Sequence, residues 1–158
     1  MPPATRTFVD TSALFSGIWS EEGGGRVLLR LAEAGAITLV VSAQALAELE
    51  RAIRRKAPHA LPSLAILLDR IRVEVAPDPG EQTLEACRSL VTHEADAAIL
   101  AAAWASHADY FVTLDRQHFL ENVKLRETVP FEVGTPGDYL AWLRKLLAGA
   151  SFPRGVGR

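Results

Sequence analysis

Carboxylates spaced along the chain offer the first sign of chemistry. Asp10 follows the short apolar run Thr7-Phe8-Val9, Asp96 opens an alanine-rich helical segment, and Asp115 closes Tyr110-Phe111-Val112-Thr113-Leu114. A fourth acid, Glu48 or Glu50, sits on a helix between them. The stretch from His93 to Phe119 sets the expected geometry. A helix of about 12 residues spans roughly 18 Å, and a strand of about five residues spans about 16 Å. A strand packed antiparallel to that helix returns Asp115 to the edge where Asp96 began. Like charges gathered at one edge raise one another's pKa, and a divalent cation relieves the repulsion. Oxygen-only ligation suits Mg2+ or Mn2+, and such a centre activates water for an in-line phosphoryl displacement. The competing reading makes each acid a helix cap or a solvated charge, since Asp10 and Ser12 are both good N-caps.

The elements that must hold these residues alternate in kind. Strands are expected at Thr7–Val9, Ile37–Val41, Arg72–Val75 (an edge strand), the run ending at Asp115, and Val129–Val133. Between them, helical spacing appears in Val27, Leu28, Leu31 and Ala34, stopped by Gly35, and in Leu46, Leu49 and Ile53, opened by Ser42 as N-cap. Glu48 lies about 130° from the centre of that second stripe, so periodicity leaves Glu48 and Glu50 both open. Pro58 and Pro62 should break this helix before Leu64–Ile71 resumes as a second one, giving a helical hairpin beside the sheet. Glu81–Val91 reads as an amphipathic helix burying Cys87, and Ile99, Leu100, Ala103 and Trp104 read as core. A terminal helix begins at Thr135-Pro136 and carries Tyr139, Trp142 and Leu146 near one face. Gly23-Gly24-Gly25 lacks the Lys-Ser/Thr ending of a phosphate loop and reads as a flexible lead-in to the next helix. The whole is expected to be an α/β protein, a three-layer α/β/α sandwich with a mainly parallel sheet of about five strands. Residues 1–150 are expected to form a single domain and 151–158 a flexible tail.

Composition sets the bounds. At 158 residues the chain suits one domain able to bury about 68–70% of its unfolded surface. A single cysteine excludes an intramolecular disulfide, and with no apolar run of membrane-spanning length and no signal peptide before Asp10, a cytoplasmic location is expected. The net charge of −2 argues mildly against a basic nucleic-acid binder. Setting aside four site acids leaves 15 acidic residues against 17 basic ones, so overall charge decides little. Arg51, Arg54, Arg55 and Lys56 end one helix, favourably for its dipole, and Arg116 follows Asp115; phosphate contact is the alternative use of these five.

Val9-Asp10-Thr11-Ser12, Ser42 with Ala45-Leu46-Ala47-Glu48-Leu49, Glu94 to Leu100, and Ala108 to Asp115 together resemble the PIN-domain family of metal-dependent ribonucleases, over roughly Thr7 to Leu143. The resemblance implies acidic ligands at Asp10, Glu48, Asp96 and Asp115, selecting Glu48 over Glu50, and a supporting hydroxyl at Ser12 or Thr113. Ala95 departs from the second acid that many relatives carry beside Asp96, and Leu114 from a small residue before Asp115. Small bacterial members look like VapC-type toxins, which implies a single-stranded RNA substrate, a cognate antitoxin partner and a homodimer. Two other classes fit parts of the pattern. A non-catalytic PIN-like module would bind RNA or protein without cutting. A phosphoacceptor receiver domain also has acids at a sheet edge, but no lysine follows the last strand before Thr135 and no aspartate ends Arg72–Val75.

Overall fold

A computed structural model describes residues 4–151. Five strands, β1 (Thr5–Val9), β2 (Ile37–Val41), β3 (Glu74–Val75), β4 (Tyr110–Val112) and β5 (Glu132–Gly134), form one sheet in the order β3-β2-β1-β4-β5, and every pairing is parallel. Helices α1 (Thr11–Trp19), α2 (Gly24–Glu33), α3 (Ala43–Lys56), α4 (Leu61–Arg70), α5 (Gly80–Arg88), α6 (Glu94–Ala105), α7 (Val123–Thr128) and α8 (Pro136–Ser151) cover it. Alternation along each strand feeds two cores. Val9, Leu39, Val41, Tyr110 and Val112 point toward α1 to α4 and α8, whereas Phe8, Val40, Phe111 and Val133 point toward α5 to α7. Strands buried on both faces are what an all-parallel sheet requires, and the expected three-layer α/β sandwich is the observed fold.

The strand order places a switch point between β1 and β4. The chain builds outward from β1 through β2 to β3, then returns to β1's other side with β4. In open parallel sheets, ligands bind in the crevice outside the carboxyl ends of the strands at such a point.

Several boundaries differ from expectation for identifiable reasons. β1 starts at Thr5, where Thr5 pairs with Ile37. Pairing in β3 begins only at Glu74 because Arg72, at φ +52°, closes the end of α4 by donating to Asp69. Val129 is not a strand residue: its N–H caps α7 through Leu125, and Pro130 follows, so pairing starts at Glu132 and runs to Gly134. Pro62 starts α4 rather than breaking a helix, since a proline in the first turn forfeits no hydrogen bond. α5 ends at Arg88, with Leu90 and Val91 turning back onto Cys87.

The buried stripe of α2 is Leu28, Leu29 and Ala32, with Val27 exposed. Gly24 and Gly25, the first residues of α2, form a tight packing site and not a slack connection. A β-carbon on Gly25 would lie 2.9 Å from the Gly17 nitrogen, so only glycine lets α1 and α2 approach this closely. On α8, Tyr139 and Leu143 are buried, while Leu146 and Leu147 are about half exposed. The Tyr139 hydroxyl accepts a hydrogen bond from Thr7 at 2.7 Å, anchoring α8 to β1. Of the expected tail, Ser151 ends α8 and residues 152–158 lie outside the described residues.

Candidate metal centre at the carboxyl edge

Asp10 leaves β1 directly at the switch point. Its N–H bonds to the Val112 carbonyl of β4 at 2.9 Å, so the two strand ends stay in register past their last pair. Its carboxylate is then held by three donors: the Thr11 N–H at 2.7 Å, the Thr113 hydroxyl at 2.7 Å and the Ser12 hydroxyl at 3.2 Å. The first of these makes Asp10 the N-cap of α1, so capping and convergence on the edge are the same geometry.

Thr113 and Ser12 act as hinges between the two strand ends. The fully buried Thr113 donates to Asp10 and accepts the N–H of Asp115 at 3.0 Å. Ser12 donates to Asp10 and accepts the N–H of Leu114 at 3.1 Å. Thr113 thereby links the Asp10 carboxylate to the Asp115 main chain. Burial pushes the Asp10 carboxyl above the usual carboxylate range, and the neighbouring charge of Asp115 pushes the same way, against the three donors. The Thr11 hydroxyl, on the same turn, is the one buried side-chain oxygen or nitrogen without a partner among the described residues.

Asp115 caps a single π-helical turn, Arg116–Leu120, by accepting the N–H of His118 at 3.0 Å. The His118 ring returns to the same carboxylate, with Nδ1 at 2.9 Å from Oδ2. That hydrogen bond raises the imidazole pKa, and the charges of Asp115 and Asp96 add to it. His118 therefore links Asp115 to α6, where Asp96 stands half-buried in the first turn. Asp96 is not the helix cap: the N-cap position is His93, whose side chain makes no capping bond. His118 was missed in the sequence, although an aspartate at an N-cap with histidine three residues later is a readable local signal.

The remaining sequence candidates lie apart from this wiring. Glu48 is half-buried on the second turn of α3 and accepts from Gln44 at 3.1 Å. Glu50 is exposed and paired with Arg54 at 2.6 Å. Among the described residues, no three His, Cys, Asp or Glu side chains are grouped so as to hold a metal ion. The structure thus joins Asp10 to Asp115, sets Asp96 within electrostatic reach of their neighbour His118, and leaves Glu48 unconnected to them by hydrogen bonds. Arg51, Arg55 and Lys56 are exposed, and Arg116 makes one long contact with Glu121 at 3.4 Å. The donors at the edge are carboxylates and hydroxyls, with one desolvated carboxylate beside another. That donor set fits a hard divalent cation.

Comparison with known proteins bears on the same region. The chain is similar to the crystal structure of VapBC2 from Rickettsia felis bound to a DNA fragment from its promoter, with a TM-score of 0.62 at 19% identity, covering 82% of this chain and 97% of that one. It is also similar to FitAcB from Neisseria gonorrhoeae, with a TM-score of 0.54 at 19% identity and the same coverage of each chain. At this identity the likeness is one of fold. No curated protein matches the sequence at a significant level. A family model described as the PIN domain matches residues 6–117, which spans β1 to β4 and both Asp10 and Asp115. On that match the chain belongs to the PIN-domain family.

Proposed function

We propose that the chain is a divalent-metal-dependent endoribonuclease that cuts single-stranded RNA, and that it serves as the VapC-type toxin of a VapBC-type pair, neutralised by a cognate antitoxin. One observation carries the catalytic reading: at the switch point of a PIN domain the Thr113 hydroxyl joins the Asp10 carboxylate to the Asp115 main chain, with the Asp115 charge acting on buried Asp10. Asp10 and Asp115 would hold Mg2+ or Mn2+, with Asp96 and Glu48 completing the acidic set as side chains adjust. When bound, such a cation supplies charge stabilisation and an activated water.

The chain's own residues do the positioning. Ser12 and Thr113 fix the Asp10 carboxylate by donating to it, and His118 fixes Asp115. The exposed Arg51, Arg55, Lys56 and Arg116 are available to contact backbone phosphates, a sequence-independent attraction that salt weakens. A homodimer working in the cytoplasm completes the proposal. The same fold in VapBC2 supports the toxin assignment.

A second reading is favoured by one observation, the absence of a three-residue metal group among the described residues. It makes the chain a PIN-like module that binds RNA or protein without cutting. Incubation of mixed synthetic RNAs with the protein and Mg2+ or Mn2+ separates the two. Cleavage that EDTA stops is expected. Metal binding without cleavage across a broad RNA panel would overturn the catalytic reading.

A further inference from the structure

Next to the acidic edge lies a cavity of about 340 Å³ lined by Val91, Thr92, His93, Gln117, His118 and Asn122. Its size falls at the lower end of the range for small-ligand pockets, about 300–1,000 Å³. It shares a wall with the candidate centre, because His118 lines the cavity and also bonds Asp115.

The wall chemistry is specific. His93 and His118 meet edge to face, with ring centroids 5.0 Å apart and planes at 71°, which leaves a ring face open for stacking. Asn122 is a fixed wall, since its amide donates to the Leu90 and His118 carbonyls and its oxygen caps α7 through Leu125. Gln117 differs: it is exposed at the rim, and its carboxamide carries both a donor and an acceptor. An aromatic face with an amide beside it is the combination by which proteins stack an unpaired base and read its hydrogen-bonding edge. A phosphate is poorly served here, because no lysine or arginine lines the cavity.

We propose that this cavity is a nucleobase subsite, holding one splayed base of a single-stranded RNA beside the candidate centre at Asp10 and Asp115. It rests on the nuclease reading above and deepens it: base preference at one position flanking the cut comes from His93 and Gln117.

The test is a binding titration that needs no catalysis. Wild-type protein in EDTA is titrated with the four ribonucleoside 5′-monophosphates and, as a control lacking a base, ribose 5-phosphate. The His93 ring and Gln117 side-chain NMR signals are followed. These signals should move with at least one nucleotide and not with ribose 5-phosphate. His93→Ala should weaken that binding roughly fivefold or more, as expected for loss of base–aromatic stacking, and His93→Phe should restore most of it. Gln117→Ala should narrow the difference among the four bases.

Equal shifts with ribose 5-phosphate would make this a phosphate site and overturn the proposal, as would no shift with any nucleotide. His93→Phe binding as weakly as His93→Ala would remove the stacking argument. Nucleotide binding in a protein that cuts no RNA would sustain the subsite while rejecting the nuclease, so the two failures are distinct.

Discussion

The two ends of β1 carry acids under opposite management. At the amino-terminal side, Arg6 collects them. Its guanidinium pairs with Glu74 and donates to the Ser106 carbonyl, and its backbone N–H donates to Asp109 at 2.8 Å. Glu74 is held below its ordinary value by that hydrogen bond, and Arg6 above its own. Four residues on, Asp10 meets no arginine or lysine. It has hydroxyls, one N–H and a second carboxylate, and burial pushes its pKa upward. Around β4 the contrast is softer: Asp109 accepts the Arg6 backbone N–H before the strand, and Asp115 holds the His118 ring after it. Acids that receive a cation from the chain brace the fold. Asp10, left with only neutral donors, carries a charge deficit that the chain does not settle itself, which is the expected condition of a functional site.

Exchanging carboxylate for amide at each end should expose that difference most strongly in activity. Asp10→Asn is expected to lower metal-dependent RNA cleavage on the order of 100-fold or more, the scale of losing a group that acts on transition-state charge. Glu74→Gln should stay within a few-fold of wild type. Initial rates on one RNA at saturating metal measure both. Comparable losses at the two positions would break the division between bracing and functional acids.

Metal linkage comes next in size. A cation that binds only the folded protein stabilises it by about 2.7 kcal/mol at 100 times its Kd. Thermal melts should therefore shift upward with Mg2+ or Mn2+ in wild type and in Glu74→Gln. The shift should shrink in Asp10→Asn and, to a lesser degree, in Asp96→Asn, whose helix loses no cap. A wild-type melting temperature indifferent to both metals would remove the metal from the candidate centre.

Much of this division is legible in the sequence, and the rest fails for physical reasons. Parallel strands are buried on both faces, so Thr7–Val9, Ile37–Val41 and the run into Asp115 announce themselves as apolar, with Asp10 directly at a strand end. The expected strand ending at Asp115 stops instead at Val112, where Thr113 turns to bond Asp10. The α6 helix, the Ser42 cap and the burial of Cys87 are equally local. Glu48 is different, because the direction of a residue on the flank of a helix depends on what packs across from it. Val129 misleads because a β-branched residue suits a strand and a helix end alike, and Pro130 decides the matter. The Arg6 cluster joins segments far apart in sequence, so no window along the chain contains both Arg6 and Glu74 or Ser106. Gly17 and Gly25 lie close in sequence, but their approach depends on α1 and α2 folding back on one another, which spacing alone does not reveal.

The subtlest consequence lies in the sign of the pH dependence at the two ends of β1, measured without metal. Asp10's folded pKa is raised above its unfolded value. Its contribution to stability is therefore fully present below the unfolded value, about 3.9, and is lost as pH rises through the folded value. Glu74's folded pKa is lowered, so its contribution is present above the unfolded value, about 4.3, and is lost as pH falls through the folded one. The Glu74 side chain is 43% exposed, which screens the pair and holds its worth to about 1 kcal/mol or less. Melting temperatures in EDTA should then diverge by variant. As pH falls from about 7 toward 4, wild type should gain on Asp10→Asn. As it falls further, wild type should lose ground to Glu74→Gln. Each amide has no charge to titrate, so each difference isolates one carboxylate, and the small size of the Glu74 effect does not matter because the direction alone discriminates. If both differences moved the same way, the two acids would be in equivalent environments, and the unsettled charge at Asp10 would not exist.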